Sequence, residues 1–456
     1  MKNIFLITLL LLGTAFTGFA QQTAQPVATH NFSLQDCINY AYQHQDSVVN
    51  AGLDVKSADY KVKESIGTGL PQINGSASFQ DYLRPPTSVG PDFSKGFTAP
   101  IDPNAPLVPF PIGAVKYNNT YSLTATQLLF SGTFLVGLQA AKTYKELSQR
   151  NLVRSKIQTN VSVTKAYYLV LVSTEQIKLL DADISQIKHQ LDETTAENKQ
   201  GQAEGIDVQR TQVQYNNLVT NRANALELLT LSYQTLKFQM GMPIYTELVL
   251  TDKLEDVKLD QQLGQNTGDT TFYHNRIEYN LLETSLKLNE LDVKSKKAAF
   301  LPTLNANGGF ADVYQENHLK FLFNHPYPYN YIGLSLNVPI FNGNQRKYQL
   351  KESQVNVDKS RNDLENAKNA FGLQANAARF TYINSLRSLD NQKRNQQLAQ
   401  EVLRVSKIKY QQGVGSNLEV TQAQTDLESA DNQYIQSLYN TLISKVDMDK
   451  AYGKIQ

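Results

Sequence analysis

The chain has 456 residues, with 43 Lys and Arg against 42 Asp and Glu, one Cys and no Trp. This charge balance gives no electrostatic ground for nucleic acid or an acidic ligand as partner, and a single cysteine excludes an intramolecular disulfide or a multi-thiolate metal site. Apolar residues reach only 41%, while Gln, Asn, Ser, Thr and Ala fill the long middle segments, so the helices should bury narrow stripes rather than surround a thick core.

Residues 1–20 read as a secretory signal that is cleaved on export: Lys2, an apolar run from Ile4 to Leu12, then Gly18 at −3 and Ala20 at −1 before Gln21. The apolar run is well below the roughly 20 residues a spanning helix needs. Cys37 stands far beyond the cleavage site, so no acyl anchor at the mature N-terminus is suggested. From Ser33, an expected N-cap with Asp36 in the capping-box position, a helix is predicted to continue to about Ile66. Gly67, Gly69 and Pro71 stop it.

Gln72 to Leu83 is small and polar, with Ile73, Ala77 and Phe79 at even spacings, a strand signal. Residues 84–119 carry Pro85, Pro86, Pro91, Pro100, Pro103, Pro106, Pro109 and Pro111, a density that predicts a long loop without regular elements. A second strand is expected over Tyr117–Phe130, then a long helix from about Phe134 to Asn198, the turn "NKQGQAEGIDVQRTQ", and a shorter helix closing on Gly241. Residues 242–271 form a linker for which no regular fold is expected.

The chain then repeats itself. "YQQGVGSNLEVTQAQ" from Tyr410 echoes the segment from Asn198, and Gly413 lies 413 − 201 = 212 residues after Gly201, the spacing that also separates Gly453 from Gly241. "LPTLNANGGF" from Leu301 matches "LPQINGSASF" from Leu70, a shift of 231, and "PIFNG" from Pro339 matches "LLFSG" from Leu128, a shift of 211. The difference of 20 residues falls in the Pro-rich loop. A duplication this long implies two copies of one supersecondary block and a quasi-symmetric tube or bundle in place of a catalytic cleft.

In the second copy the strands are expected at Thr303–Gln315 and Asn330–Phe341. Ile332, Leu334, Leu336, Val338 and Ile340 alternate with Gly333, Ser335, Asn337 and Pro339, and strands of this length and pattern fit a membrane-spanning barrel, the listed apolar side chains facing lipid. Tyr117, Tyr121, Tyr327, Tyr329 and Tyr331 crowd the strand ends as an interfacial girdle would. Beyond Gly343, Leu350, Val357, Leu364, Phe371 and Ala378 recur every seven residues, and Leu398, Val402 and Val405 carry the stripe onward. About 65 helical residues at ~1.5 Å each reach roughly 100 Å.

The six histidines, His30, His44, His189, His274, His318 and His325, form no pair at metal-ligand spacing. Without a phosphate loop, dinucleotide fingerprint or nucleophile elbow, nothing argues for an enzyme, a cofactor or a metal. The candidate functional residues are the turns at Gly201, Gly205, Gly413 and Gly415. Asp207 and Glu419 each follow the first glycine by six residues. Their ordinary role at a helix N-terminus, charge compensation of about 0.3 to 1 kcal/mol, is the competing explanation.

Four lipid-facing strands cannot close a barrel alone, because an open edge leaves N–H and C=O groups unpaired in hydrocarbon. At this point the residues resemble the TolC family of outer-membrane efflux factors, through the duplicated "LP-x-[IL]" at Leu70 and Leu301, "[LI]-F-[SN]-G" at Phe130 and Phe341, and "G-x-x-x-x-x-[DE]-V" at Gly201 and Gly413. The resemblance implies a mostly α protein with a membrane β-barrel: a homotrimer whose twelve strands, four per chain, continue into a long periplasmic α-helical barrel. It implies a signal peptide at 1–20, a first repeat at 21–241 with its hairpin at about 71–130, an equatorial linker at 242–271, and a second repeat at 272–456 with its hairpin at about 302–341.

By the same resemblance the protein is the exit duct of a tripartite efflux or type I secretion system in a Gram-negative outer membrane, meeting a periplasmic adaptor and an inner-membrane pump. Its tips would be a periplasmic gate, with Tyr410 helping to hold it shut and Glu419 facing the pore. Gln422 stands where the family pattern has a second acid. The alternative is a periplasmic coiled-coil adaptor or structural protein without membrane strands.

Overall fold

The computed structural model describes residues 30–84, 88–90, 108–110, 115–254, 259 and 272–455. The expected signal segment, most of the Pro-rich loop and residues 260–271 of the linker lie outside them. In chain order the elements are β1 His30–Phe32, α1 Leu34–His44, α2 Asp46–Gly67, β2 Gln72–Asp81, β3 Ser88–Gly90, β4 Val108–Phe110, β5 Tyr117–Ser131, α3 Gly132–Lys199 and α4 Gly205–Met240. Then follow β6 Leu248–Leu250, a 3-10 turn Phe272–Asn275, α5 Ile277–Ala298, β7 Thr303–Glu316, a 3-10 turn Leu319–Phe321, β8 Pro326–Asn337, α6 Gln345–Gln411 and α7 Asn417–Ala451. These residues form two compact units, the first of Met1–Gln45, Ser162–Gln261 and Arg387–Ile443, the second of Asp46–Val161, Gln262–Leu386 and Ser444–Gln456.

In the first unit Ser33 caps α1 with the full reciprocal box, its hydroxyl accepting from the Asp36 N–H while Asp36 accepts from the Ser33 N–H at 3.0 Å. The helix predicted to run on to Ile66 breaks instead at Gln45. The cause is a close approach: Gly241, at φ +70°, lies so near that an added Cβ would sit 2.4 Å from the His44 carbonyl oxygen. Cys37, Ile38 and Ala41 then pack on Val163, Tyr167 and Val170 of α3 and on Leu236 and Met240 of α4. Burying each of the larger aliphatic side chains contributes about 1.5 to 3 kcal/mol.

The linker is more regular than expected. Its Leu248–Leu250 pairs in parallel with His30–Phe32, and the Asp252 carboxylate accepts from both the Leu34 N–H and the Tyr167 hydroxyl at 2.9 Å. One acid thereby ties the start of α1 to α3. Burial pushes the Cys37 thiol up to about 12, helped by the charges of Asp36 and Asp252.

In the second unit the sheet order is β2-β5-β7-β8, antiparallel throughout, so β2 and β8 are open edges. The last strand starts earlier and ends earlier than its alternation suggested. Pro326 and Pro328 are admitted because an edge strand leaves one side of its backbone unpaired. Val338 and Ile340 consequently fall beyond the strand, and Leu336, predicted near mid-strand, is its penultimate residue. A second correction concerns the Pro-rich segment: Ser88–Gly90 and Val108–Phe110 form a short antiparallel ladder, with Pro109 opposite Val89. Three residues a side need few donors, so proline at one of them does not forbid it.

Register decides the faces. Ile332, Leu334 and Leu336 stand opposite Gly308, Ala306 and Leu304, and the same face continues through Phe310, Leu123, Ile73 and Phe79. On the other face lie Gln72, Asn74, Ser76, Ser122, Thr124, Asn305 and Asn307. Tyr327, Tyr329 and Tyr331 belong to this polar face, so they do not join Tyr117 and Tyr121 in one girdle; Tyr314 on the apolar face does, edge-on to Tyr121 at 6.0 Å. A period of two puts neighbours on opposite sides, which a count of tyrosines near strand ends ignores.

Of the heptad positions, Val357 and Phe371 are buried and Leu350, Leu364 and Ala378 half-buried, but Leu398, Val402 and Val405 are exposed in the single chain. Leu403 takes the buried place. The Arg276 guanidinium lies 4.1 Å from the Phe371 ring centroid and donates to Gln374 at 2.9 Å, fixing the start of α5 on α6. A concavity of about 1430 Å³ between α2 and α3 is an open, mixed-polarity groove lined by residues such as Asn50, Asp54 and Tyr144.

Candidate functional site

The two helical turns of the first unit are built alike. Gly201 and Gly413 have φ of +74° and +73°, the left-handed conformation that glycine adopts without a Cβ penalty. In each, the N–H after the glycine reaches back to a helical carbonyl, Gln202 to Glu197 at 2.9 Å and Val414 to Lys409 at 3.0 Å. The glycine N–H bonds to Asn198 at 3.0 Å in one turn and to Tyr410 at 2.9 Å in the other. This double bond pattern is the Schellman motif, which satisfies carbonyls that the helix end leaves orphaned. Gly241 and Gly453 stop their helices in the same way.

Gly205 and Asn417, 212 residues apart, are the first helical residues of α4 and α7. Gly415 is wedged in: a Cβ there would meet that of Lys409 at 2.9 Å. Asp207 and Glu419 both occupy the third helical position, their N–H groups bonding to the carbonyls of Glu204 and Ser416. The copies differ in the cap, since Ser416 Oγ accepts from the Glu419 N–H at 3.3 Å whereas Glu204 makes no side-chain cap. Asp207 is engaged by Arg210 at 3.4 Å, while the Glu419 side chain is exposed. Both acids sit where a helix N-terminus favours negative charge.

Tyr410 hydroxyl donates to Glu197 Oε2 at 2.7 Å, joining α6 to α3. Burial raises the Tyr410 pKa, with the Glu197 hydrogen bond second, so the hydroxyl stays a donor. Glu197 escaped the sequence reading because its partner is 213 residues away and the duplication gives no hint: the equivalents are Lys409 and Asn198, which do not repeat the pair. Gln422 donates to Asp426 at 2.9 Å, so an acid stands one turn past the position where the family's second acid is absent. The i, i+4 spacing was the available signal. Asn417 is buried and accepts from Gln190 at 3.1 Å.

A sheet with one apolar and one polar face, four strands with two open edges, and long helices paired by matched turns define a channel-forming protein of the outer membrane. The model of the outer membrane efflux protein family matches residues 37–242 and 282–454, and the chain belongs to that family. Outer membrane protein TolC of Escherichia coli is 25% identical over 304 residues, 65% of this chain and 61% of that protein, less than two thirds of its length. The probable efflux pump outer membrane protein TtgC of Pseudomonas putida is 26% identical over 451 residues, covering 93% of this chain and 83% of the relative. The open-state structure of the Neisseria gonorrhoeae MtrE outer membrane channel aligns with a TM-score of 0.72 at 18% identity, over 92% of this chain and 88% of that one, a likeness of fold.

Proposed function

We propose that three copies of this chain close one barrel and one helical duct, and that the assembly passively conducts substrates from the periplasm to the exterior. It is the exit component of a tripartite efflux or type I secretion system, without bond chemistry or a cofactor of its own. The carrying observation is the open four-stranded sheet: β2 and β8 present unpaired edges beside an apolar face, and in hydrocarbon each unsatisfied group costs several kcal/mol. Pairing β8 of one copy with β2 of the next removes every edge. The apolar side chains from Ile332 to Leu336 then meet lipid, and the Ser, Thr, Asn and Tyr face lines water.

In this reading the Gly201 and Gly413 turns are the periplasmic tips, where an adaptor docks and an inner-membrane pump supplies the energy. Glu419 from each copy rings the passage, and the Tyr410–Glu197 bond holds α6 and α3 together while it is shut. Chemical cross-linking of native outer-membrane preparations tests the assembly. Trimers are expected; a ladder that ends at the monomer or dimer overturns the reading.

A further inference from the structure

Towards the tips, packing changes character between helices of the first unit. Within each helical pair it is apolar: Ile177, Leu180 and Ile187 of α3 meet Leu218 and Ala225 of α4, and Leu403 of α6 meets Val420, Ala423 and Leu427 of α7. Between the pairs it is polar. Gln186 donates to Gln424 at 2.5 Å, Gln190 to Asn417 at 3.1 Å, Gln214 to the Thr421 carbonyl at 2.9 Å and Asn221 to Glu428 at 2.9 Å. The buried Gln190 Oε1, Gln214 Oε1 and Thr421 Oγ1 find no partner at all. Such a seam gains little on closing, because each bond replaces one to water and each orphan costs about 1 to 3 kcal/mol.

Farther from the tips the same two helices, α3 and α7, are anchored by apolar contact of Val172 with Ile435, Leu438 and Leu442. Asp183 of α3 and Asp431 of α7 sit where anchor gives way to seam, each 7% exposed, and line one small cavity together with Glu428. Gln424 donates to Asp183 at 3.4 Å and Gln396 of α6 to Asp431 at 2.6 Å. Lys407 of α6 is the cation that acts on Asp183, and it makes no hydrogen bond or ion pair to any of the three acids; it also feels Glu193 of α3. From α4 the group facing this site is the uncharged Asn221. Three carboxylates therefore converge with two amide donors and one distant ammonium, an arrangement that cannot hold three negative charges cheaply.

We propose that this junction is a proton-operated latch: Asp183 and Asp431 hold α7 against α3 while a proton is retained between them, and its loss drives α7, with α6, away from the α3/α4 pair. The anchor at Val172 and Leu438 makes the movement a splaying of the seam. Burial, then Asp431 and Glu428, push Asp183 up to about 7, and burial raises Asp431 as well. A raised carboxyl contributes stability that is complete below its ordinary value near 4 and is lost as pH rises through the folded value near 7. The seam is thus tightest in mild acid and loosens towards pH 8. The consequence for conduction rests on the tips being the gate; the latch itself does not.

The test uses the full-length protein in lipid with spin labels at Ser185→Cys on α3 and Ser429→Cys on α7, both exposed positions, the native Cys37 being buried. Distance distributions are recorded from pH 5 to 8. The ratio of long to short populations should rise by up to about tenfold per pH unit for each linked proton. Asp183→Asn with Asp431→Asn should flatten that dependence. Populations that ignore pH in the otherwise wild-type protein, which needs no further variant to fold, overturn the latch, as does a pH response that persists in the double variant. Planar-bilayer conductance of the labelled protein separates the two readings: populations that shift while conductance does not would leave the latch standing and remove the tips as the gate.

Discussion

The Tyr410 hydroxyl and Glu197 Oε2, 2.7 Å apart, join the last turn of α6 to the last turn of α3. Each residue lies just before its Schellman glycine, so the bond spans the two tips at the point where both chains reverse. Tyr410→Phe keeps the ring against Leu403 and Val420 but removes the donor. Such a loss typically costs about 0.5 to 1.5 kcal/mol. The variant should show a raised closed-state conductance in planar bilayers, and Glu197→Gln, which keeps an acceptor, a smaller rise. Identical closed states in all three proteins would return Tyr410 to a packing role.

Glu419 is exposed at the third position of α7, without the arginine that engages Asp207 at the equivalent place in α4. Like charges from several copies in a narrow passage attract cations and repel anions. Glu419→Gln should therefore lower cation selectivity, read as a smaller reversal potential across a KCl gradient. Asp426, one turn beyond Gln422, should add a weaker effect of the same sign. A reversal potential that does not move in Glu419→Gln would place the carboxylate away from the conduction path.

The lipid face is best probed at Leu334, since Leu336 lies at the strand end. Leu334→Arg should cost about 2 to 4 kcal/mol if the residue lies near the bilayer midplane, whereas Ser335→Asn on the polar face should be almost silent. Denaturant titration of protein refolded into vesicles reads both. Equal losses at the two positions would argue against an asymmetric membrane sheet.

Gly201 and Gly241 share a positive φ but not an environment. Around Gly201 a Cβ finds open space, so Gly201→Ala carries only the left-handed backbone cost of roughly 1 to 2 kcal/mol. At Gly241 the same methyl would collide with the His44 and Gln45 backbone. Thermal melts should show Gly241→Ala as clearly the more damaging change; equal shifts would mean that the α1 to α2 break yields freely.

Cys37 offers a probe of α1 docking. With the thiol buried and pushed up to about 12, it remains protonated far above neutral pH, and only the thiolate is reactive. Iodoacetamide near pH 8.5 should modify it in denaturant and leave the folded protein untouched. Labelling at the rate of an exposed thiol would show α1 undocked.

The sequence alone carried the repeat, the strands at three of four positions, the long helices and the reversing glycines. These depend on local rules: period two or seven, glycine at a left-handed stop, serine and aspartate around a helix start. What it could not carry depends on neighbours distant in the chain. Pro326 and Pro328 are acceptable only because β8 is an edge, which sheet order decides. The break at Gln45 requires Gly241, and the side taken by Tyr329 requires a register with Ala311. Glu197 and Asp183 look like ordinary surface acids of a polar helix until α6 and α7 are laid beside α3. Desolvation and hydrogen-bond partners, which set what an acid can do, are properties of the packed helices and not of either segment.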